Sequence, residues 1–134
     1  MGQDFSELKK KEDFKPAEGT VLDLSNYLLD NPIDKDEAQR RRSFQYVLKW
    51  MEGTPDYTFN ITPKAMNLIG DKKELLPIYL SSLAKAALEE GGKDLSGEQV
   101  EAKAINYLID YCSIPENNTK PPKTIKNEIK KRKE

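Results

Sequence analysis

The residues of this chain that could do chemistry on their own are few: one cysteine, Cys112, an acidic cluster at Asp30, Asp34, Asp36 and Glu37, and a run of three arginines, Arg40-Arg41-Arg42. There is no histidine. That removes Ser-His-Asp and Cys-His nucleophilic sites, the HExxH zinc motif and structural zinc centres of the usual Cys/His type. A thiol becomes a nucleophile when a helix N-terminus or nearby cations lower its pKa. Cys112 falls in the last turn of a helix, where the dipole disfavours a thiolate, so the expected role is a buried structural cysteine. A single cysteine also excludes an intramolecular disulfide.

The acidic cluster has the composition of a calcium loop but not its order. Counted from Asp30, the positions that need glycine and glutamate hold Lys35 and Arg41. The expected reading is a solvated helix start, with Asp36–Arg40 and Glu37–Arg41 as i, i+4 pairs. Three adjacent arginines fan around more than half a helix and do not converge on one anion, so a solvated face is expected there too. Glu90-Gly91-Gly92-Lys93 lacks P-loop spacing and follows a helix, so it reads as a helix stop. No catalytic constellation, metal site or cofactor site emerges, and a non-enzymatic protein is expected.

Tyr46, Trp50, Tyr57 and Phe59 lie within fourteen residues around Gly53-Thr54-Pro55. Such rings bury large areas while keeping a polar edge, and they anchor many binding surfaces. They form the candidate interaction surface. The competing reading is that the loop folds back and the rings complete a small core. A pocket lined by Tyr46, Trp50, Tyr79 and Tyr107 is a further candidate, for a small ligand or peptide.

These side chains must be carried by helices. Val21, Leu24 and Leu28 share a face, with Thr20 and Asp23 as a candidate capping box and Asn31-Pro32 as the stop. Asp34 opens the next helix. Phe44, Val47, Leu48 and Met51 follow helical spacing, with Tyr46 and Trp50 on an adjoining strip, and Gly53 ends it. Residues 54–61 are the least helical stretch, an ordered loop with no second strand to pair with. Thr62-Pro63 caps a short helix that stops at Gly70. Leu76, Tyr79, Leu80, Leu83, Ala84, Ala87 and Leu88 form the clearest amphipathic stripe, with Pro77 in its first turn and Gly91-Gly92 at its end. Ser96-x-x-Gln99 caps the last core helix, whose broad apolar arc (Val100, Ala104, Ile105, Tyr107, Leu108, Ile109, Tyr111, Cys112) suggests a central position. The expected fold is all-α: an irregular bundle of four main helices near 20–30, 35–52, 74–90 and 97–113, a short one near 63–69, and flexible termini. The expected core is Leu24, Leu28, Phe44, Val47, Leu48, Met51, Leu76, Leu80, Leu83, Ile105 and Leu108.

A length of 134 residues suits one domain, and 34% charged residues suit helices with one buried face. The organisation expected is a partly ordered segment 1–16, a helical domain 17–116 and a basic, largely disordered tail 117–134. The tail carries seven of the 22 basic groups and two of the 23 acidic ones, so the body is acidic. That argues against nucleic-acid binding by the body. It leaves the tail a possible contact for an anionic surface, without an aromatic to stack on a base. Asn117-Asn118-Thr119 fits a glycosylation sequon. No run reaches the length of a transmembrane helix. Met1-Gly2-Gln3-Asp4 reads as an initiator before a trimmed chain, in preference to a myristoylation signal. A monomer is expected.

The stretch Tyr46-Val-Leu-Lys-Trp50-Met-Glu-Gly53-Thr-Pro55-Asp-Tyr57-Thr-Phe59, followed by Leu75-Leu76-Pro77-Ile78-Tyr79-Leu80, resembles small all-helical proteins of unknown function exported by Gram-negative bacteria. The resemblance covers about residues 40–112. It implies an α-helical domain and a signal peptide removed before position 3, hence an exported or periplasmic location, with cytoplasmic as the alternative. It assigns no site residue. The expected function is a protein-interaction module of the cell envelope, with an unknown protein partner. The alternative is a small-ligand or peptide-binding helical domain.

Overall fold

The computed structural model describes residues 8–89 and 96–133. Among these the regular elements are all helices, without a strand: α1 (Lys11–Phe14), α2 (Glu18–Asp30), α3 (Glu37–Gly53), α4 (Pro63–Ile69), α5 (Leu76–Glu89), α6 (Gly97–Ser113) and α7 (Lys123–Arg132). Short 3-10 turns at Lys73–Leu75 and Pro115–Asn117 precede α5 and follow α6. The initiator sequence and the Gly91-Gly92 stop lie outside the described residues.

Local signals set several boundaries. The Thr62 hydroxyl accepts from the Ala65 amide at 3.2 Å, and Pro63 follows in the first turn of α4. Ser96 and Gln99 form a reciprocal capping box at the start of α6. Other starts differ from expectation. Helix α2 begins at Glu18 with Ala17 as its cap, so Thr20 and Asp23 lie inside it. Helix α3 is preceded not by Asp34 but by Asp36, at φ 51°, a left-handed conformation that Asp tolerates better than most residues.

The central element is α5, not α6. It packs against α2, α3 and α6. Its residues from Ile78 to Leu88 are buried apart from the half-buried Lys85, because Ser81, Ser82, Ala84, Ala86 and Ala87 let neighbours approach on several sides. The Ser82 hydroxyl donates back to the Ile78 carbonyl at 2.7 Å, which satisfies it without a partner helix. Helix α2 meets α5 through Val21, Leu24, Ser25 and Leu28, the i, i+3, i+4, i+7 face that periodicity predicts.

Helix α3 is rotated relative to the expected stripe. Its buried face is Arg40, Ser43, Tyr46, Val47, Trp50 and Met51, whereas Phe44 and Leu48 are half-buried. The reason is Arg40, which is 7% exposed. Its guanidinium donates to the Leu28 carbonyl at 3.0 Å and the Asn31 carbonyl at 3.2 Å, and reaches the Tyr111 hydroxyl at 3.5 Å. These carbonyls belong to the C-terminal end of α2, where a cation complements both the orphan acceptors and the dipole. Arg40 is therefore a helix cap rather than part of a solvated face. Arg41 and Arg42 remain exposed.

The tail expectation is also corrected. Residues Lys123–Arg132 form a helix that packs against α4 and α6. Ile125 is fully buried, Ile129 is half-buried against the core, and the Thr124 hydroxyl donates to the Leu68 carbonyl at 2.6 Å. Two isoleucines one turn apart anchor the helix because α4 and α6 supply the rest of the apolar contact. The N-terminal segment likewise joins the core through Leu8 and Phe14. Asn117, the sequon residue, is buried, and its side-chain amide donates to the Tyr111 carbonyl at 2.9 Å.

Candidate interaction surface

The aromatic set divides in two. Tyr46 and Trp50 are core residues, with Trp50 entirely inaccessible. The indole N–H of Trp50 donates to the Phe14 carbonyl at 3.0 Å, so its polar edge is used internally. Tyr57 and Phe59 lie above it, half-buried. Their ring centroids are 5.6 Å and 5.7 Å from the indole, both tilted, and 6.1 Å from each other, stacked at 22°. The expected four-residue surface is thus two exposed-edge rings on a buried platform.

The chain reaches this geometry through a defined sequence of local events. Helix α3 ends at Gly53, where a β-carbon would stand 2.3 Å from Cζ of Phe14, so the Phe14 ring seats against bare backbone. Thr54 is buried, its amide bonds to the Trp50 carbonyl, and its hydroxyl accepts from the Asp56 amide at 3.3 Å. Pro55 follows. From Tyr57 to Ile61 the backbone makes no hydrogen bond among the described residues. Tyr57 and Phe59 face inward while Thr58 and Asn60 are exposed, the alternation of an extended segment. Thr62 then caps α4.

A groove of about 430 Å³ runs beside this segment, lined by Leu48, Met51, Tyr57, Phe59, Ile61 and Leu80, with Glu52, Thr54 and Thr58 at its edges. Ile61 is 44% exposed, one of three large apolar side chains left so open among the described residues. Three acids bear on it. Glu52 lines the groove, and Glu18 and Asp56 act on Tyr57, whose phenol is raised in pKa by burial first and by these two carboxylates second. Among the described residues none of the three acids is in an ion pair, and Oε2 of Glu18 is buried without a hydrogen-bond donor.

The other candidates are placed as follows. Tyr46, Trp50 and Tyr79 are buried in the core, while Tyr107 is half-buried on α6, its hydroxyl donating to Glu89 and Lys85 5.1 Å above its ring. Burial pushes the Tyr79 phenol up to about 12. Cys112 is buried and its thiol is pushed up to about 11 by desolvation, the opposite of activation. No cluster of three or more acids, Cys or His suited to a metal occurs among the described residues. Asp34 instead accepts from the Asn118 side chain. A second groove of about 310 Å³, floored by Leu28, Ile33, Phe44 and Ile78, is edged by Glu37, Arg41 and Glu74 and by Arg40, which already serves the end of α2. On α7, Lys123, Lys126 and Lys130 are exposed, while Lys131 and Arg132 pair with Glu128 and Asp110.

Ile61 and the acid flank are the features that residue-by-residue reading missed. The alternation Tyr57-Thr58-Phe59-Asn60-Ile61 was the available signal. The convergence of Glu18 on that loop from α2 had none. Set against known proteins, the chain matches no family model, no curated protein and no solved structure. Among the described residues no helix is long and apolar enough to cross a membrane.

Proposed function

We propose that this protein is a non-enzymatic protein-interaction module of the cell envelope, and that its partner surface is the groove beside Tyr57, Phe59 and Ile61. One observation carries the reading. A contiguous apolar strip, the half-buried Tyr57 and Phe59 with the 44% exposed Ile61, is left partly open over the fully buried Trp50 and beside a groove. Exposed apolar strips with polar rims mark interaction sites. The platform matters because Trp50 cannot move without losing its bond to Phe14, so the rings above it are presented in a fixed pose. The envelope placement rests on the resemblance to exported helical proteins.

The test is cross-linked capture in the native host with the wild type, Phe59→Ser and Ile61→Asp, each checked by circular dichroism, followed by binding of the purified partner. The reading expects one partner lost with both variants, and an affinity reduced about tenfold or more by Ile61→Asp, the scale of an interface anchor. Identical capture by all three forms would overturn it. Trp50→Ala is not a substitute, because it would unfold the core before it informed on binding.

A further inference from the structure

We infer that the occupant of this groove is an extended, cationic segment of the partner, added edge-on to residues 57–61 as a strand. The inference rests on the interaction reading above and narrows it to a partner chemistry.

Three independent features point the same way. First, five consecutive residues have backbone N–H and C=O groups that make no hydrogen bond among the described residues. A helical partner would leave those groups to water, whereas an added strand pairs them. Strand addition draws its affinity from such main-chain bonds. Second, the segment already has the side-chain order of a strand. Tyr57 and Phe59 stack on one another at i, i+2 over Trp50, and Thr58 and Asn60 face out. The entropic cost of extending it has been met in the free protein. Its ends are held by the Thr54 bond to α3 and the Thr62 cap of α4. Third, Glu18 and Asp56 act on Tyr57 and Glu52 lines the groove, and none of the three forms an ion pair among the described residues. An approaching lysine or arginine supplies what is missing, and alternate apolar side chains of the same strand fill the groove beside Leu48, Ile61 and Leu80.

The experiment titrates the full-length, ¹⁵N-labelled protein with capped peptides of alternating lysine and valine. The controls are an alternating glutamate–valine peptide and lysine–valine peptides N-methylated along one edge or the other. The inference expects the lysine–valine peptide to shift the amides of residues 57–61 and slow their hydrogen exchange. N-methylation of one edge should weaken binding about tenfold or more, the loss of a few backbone bonds. Glu52→Gln and Asp56→Asn should each weaken it roughly two- to fivefold, with added salt acting in the same direction. Equal binding of the acidic peptide, tolerance of N-methylation on both edges, shifts confined to other elements, or no shift at all would each overturn it. So would a dimer formed through residues 57–61, because the occupant would then be a second copy. If capture still depends on Phe59 and Ile61 while no strand peptide binds, the interaction module stands and only the strand inference falls. If capture is insensitive to both residues, the two fall together.

Discussion

Two loops flank α3, and they are built in opposite ways. The loop before it, residues 31–36, is clasped from three sides. The Ile33 amide donates to the Asn117 carbonyl at 3.1 Å, and the Asn31 carbonyl accepts from both Arg40 and the Tyr111 hydroxyl. The Asn118 side chain donates to Asp34. The loop after it, residues 54–62, is fixed at its two ends, while from Tyr57 to Ile61 its backbone makes no hydrogen bond among the described residues and its rings pack against the core. The first loop uses its polar groups to close the fold. The second keeps its polar groups free and lends its side chains to the core. A loop that satisfies itself has nothing left for a partner, and a loop pinned by packing alone has its backbone still to offer.

The comparison breaks most readily at Arg40. Arg40→Ala removes the donors of the buried Leu28 carbonyl and the half-buried Asn31 carbonyl and should lower unfolding free energy by about 3 kcal/mol. Urea denaturation measures it, and a loss below ~0.5 kcal/mol would show that the clasp is ornamental. The far post of the open loop is α4, which α7 holds through Thr124 and the buried Ile125. Ile125→Ala should cost about 2.5 kcal/mol in the same assay, whereas a solvated tail would give no change. Gly53→Ala pushes a β-carbon into the Phe14 ring at the near post and should cost about 1–2 kcal/mol. Ile61→Asp, on the open loop itself, should stay within about 0.5 kcal/mol of the wild type while losing the partner. Hydrogen exchange sharpens the contrast without mutation: the Ile33 amide should be protected and the amides of residues 57–61 should exchange rapidly.

Near neutral pH no stability change is expected from the buried weak acids. Cys112 and Tyr79 are held in their neutral forms by burial, with pKa values raised from 9.0 to about 11 and from 10.0 to about 12. In the unfolded chain both ionise earlier. The stabilisation of the folded state is therefore complete below pH 9 and is lost progressively as the pH climbs through 11 to 12. Thermal melts across that window, with tyrosinate absorbance as a second readout, check the sign.

Much of the architecture was legible residue by residue. Thr62-Pro63 and Ser96-x-x-Gln99 mark helix starts because a side-chain oxygen satisfies an orphan amide within the same few residues, whatever surrounds them. The spacing of Val21, Leu24 and Leu28 predicts the buried face of α2 for the same reason of locality. The class, all-α, follows from such signals. The aromatic cluster was legible as a cluster, but not as two buried and two half-buried rings.

What only the tertiary structure decided is which way each helix turns and what each polar group is for. Arg40 and Ser43 look like solvent-facing residues, so periodicity centres the stripe of α3 on Phe44 and Leu48. The end of α2 has carbonyls to offer, and that turns the helix toward Tyr46 and Trp50. Serines and alanines weaken the claim of α5 to the centre by composition, yet they place it there by allowing close approach. Two isoleucines are too few to predict a docked α7 until Leu68, Ile105 and Ile109 are known to flank them. In each case the deciding energy lies in a surface supplied by another element. A single segment can specify its own periodicity and caps, but burial is a property of two surfaces, and the second is known only when the chain has folded.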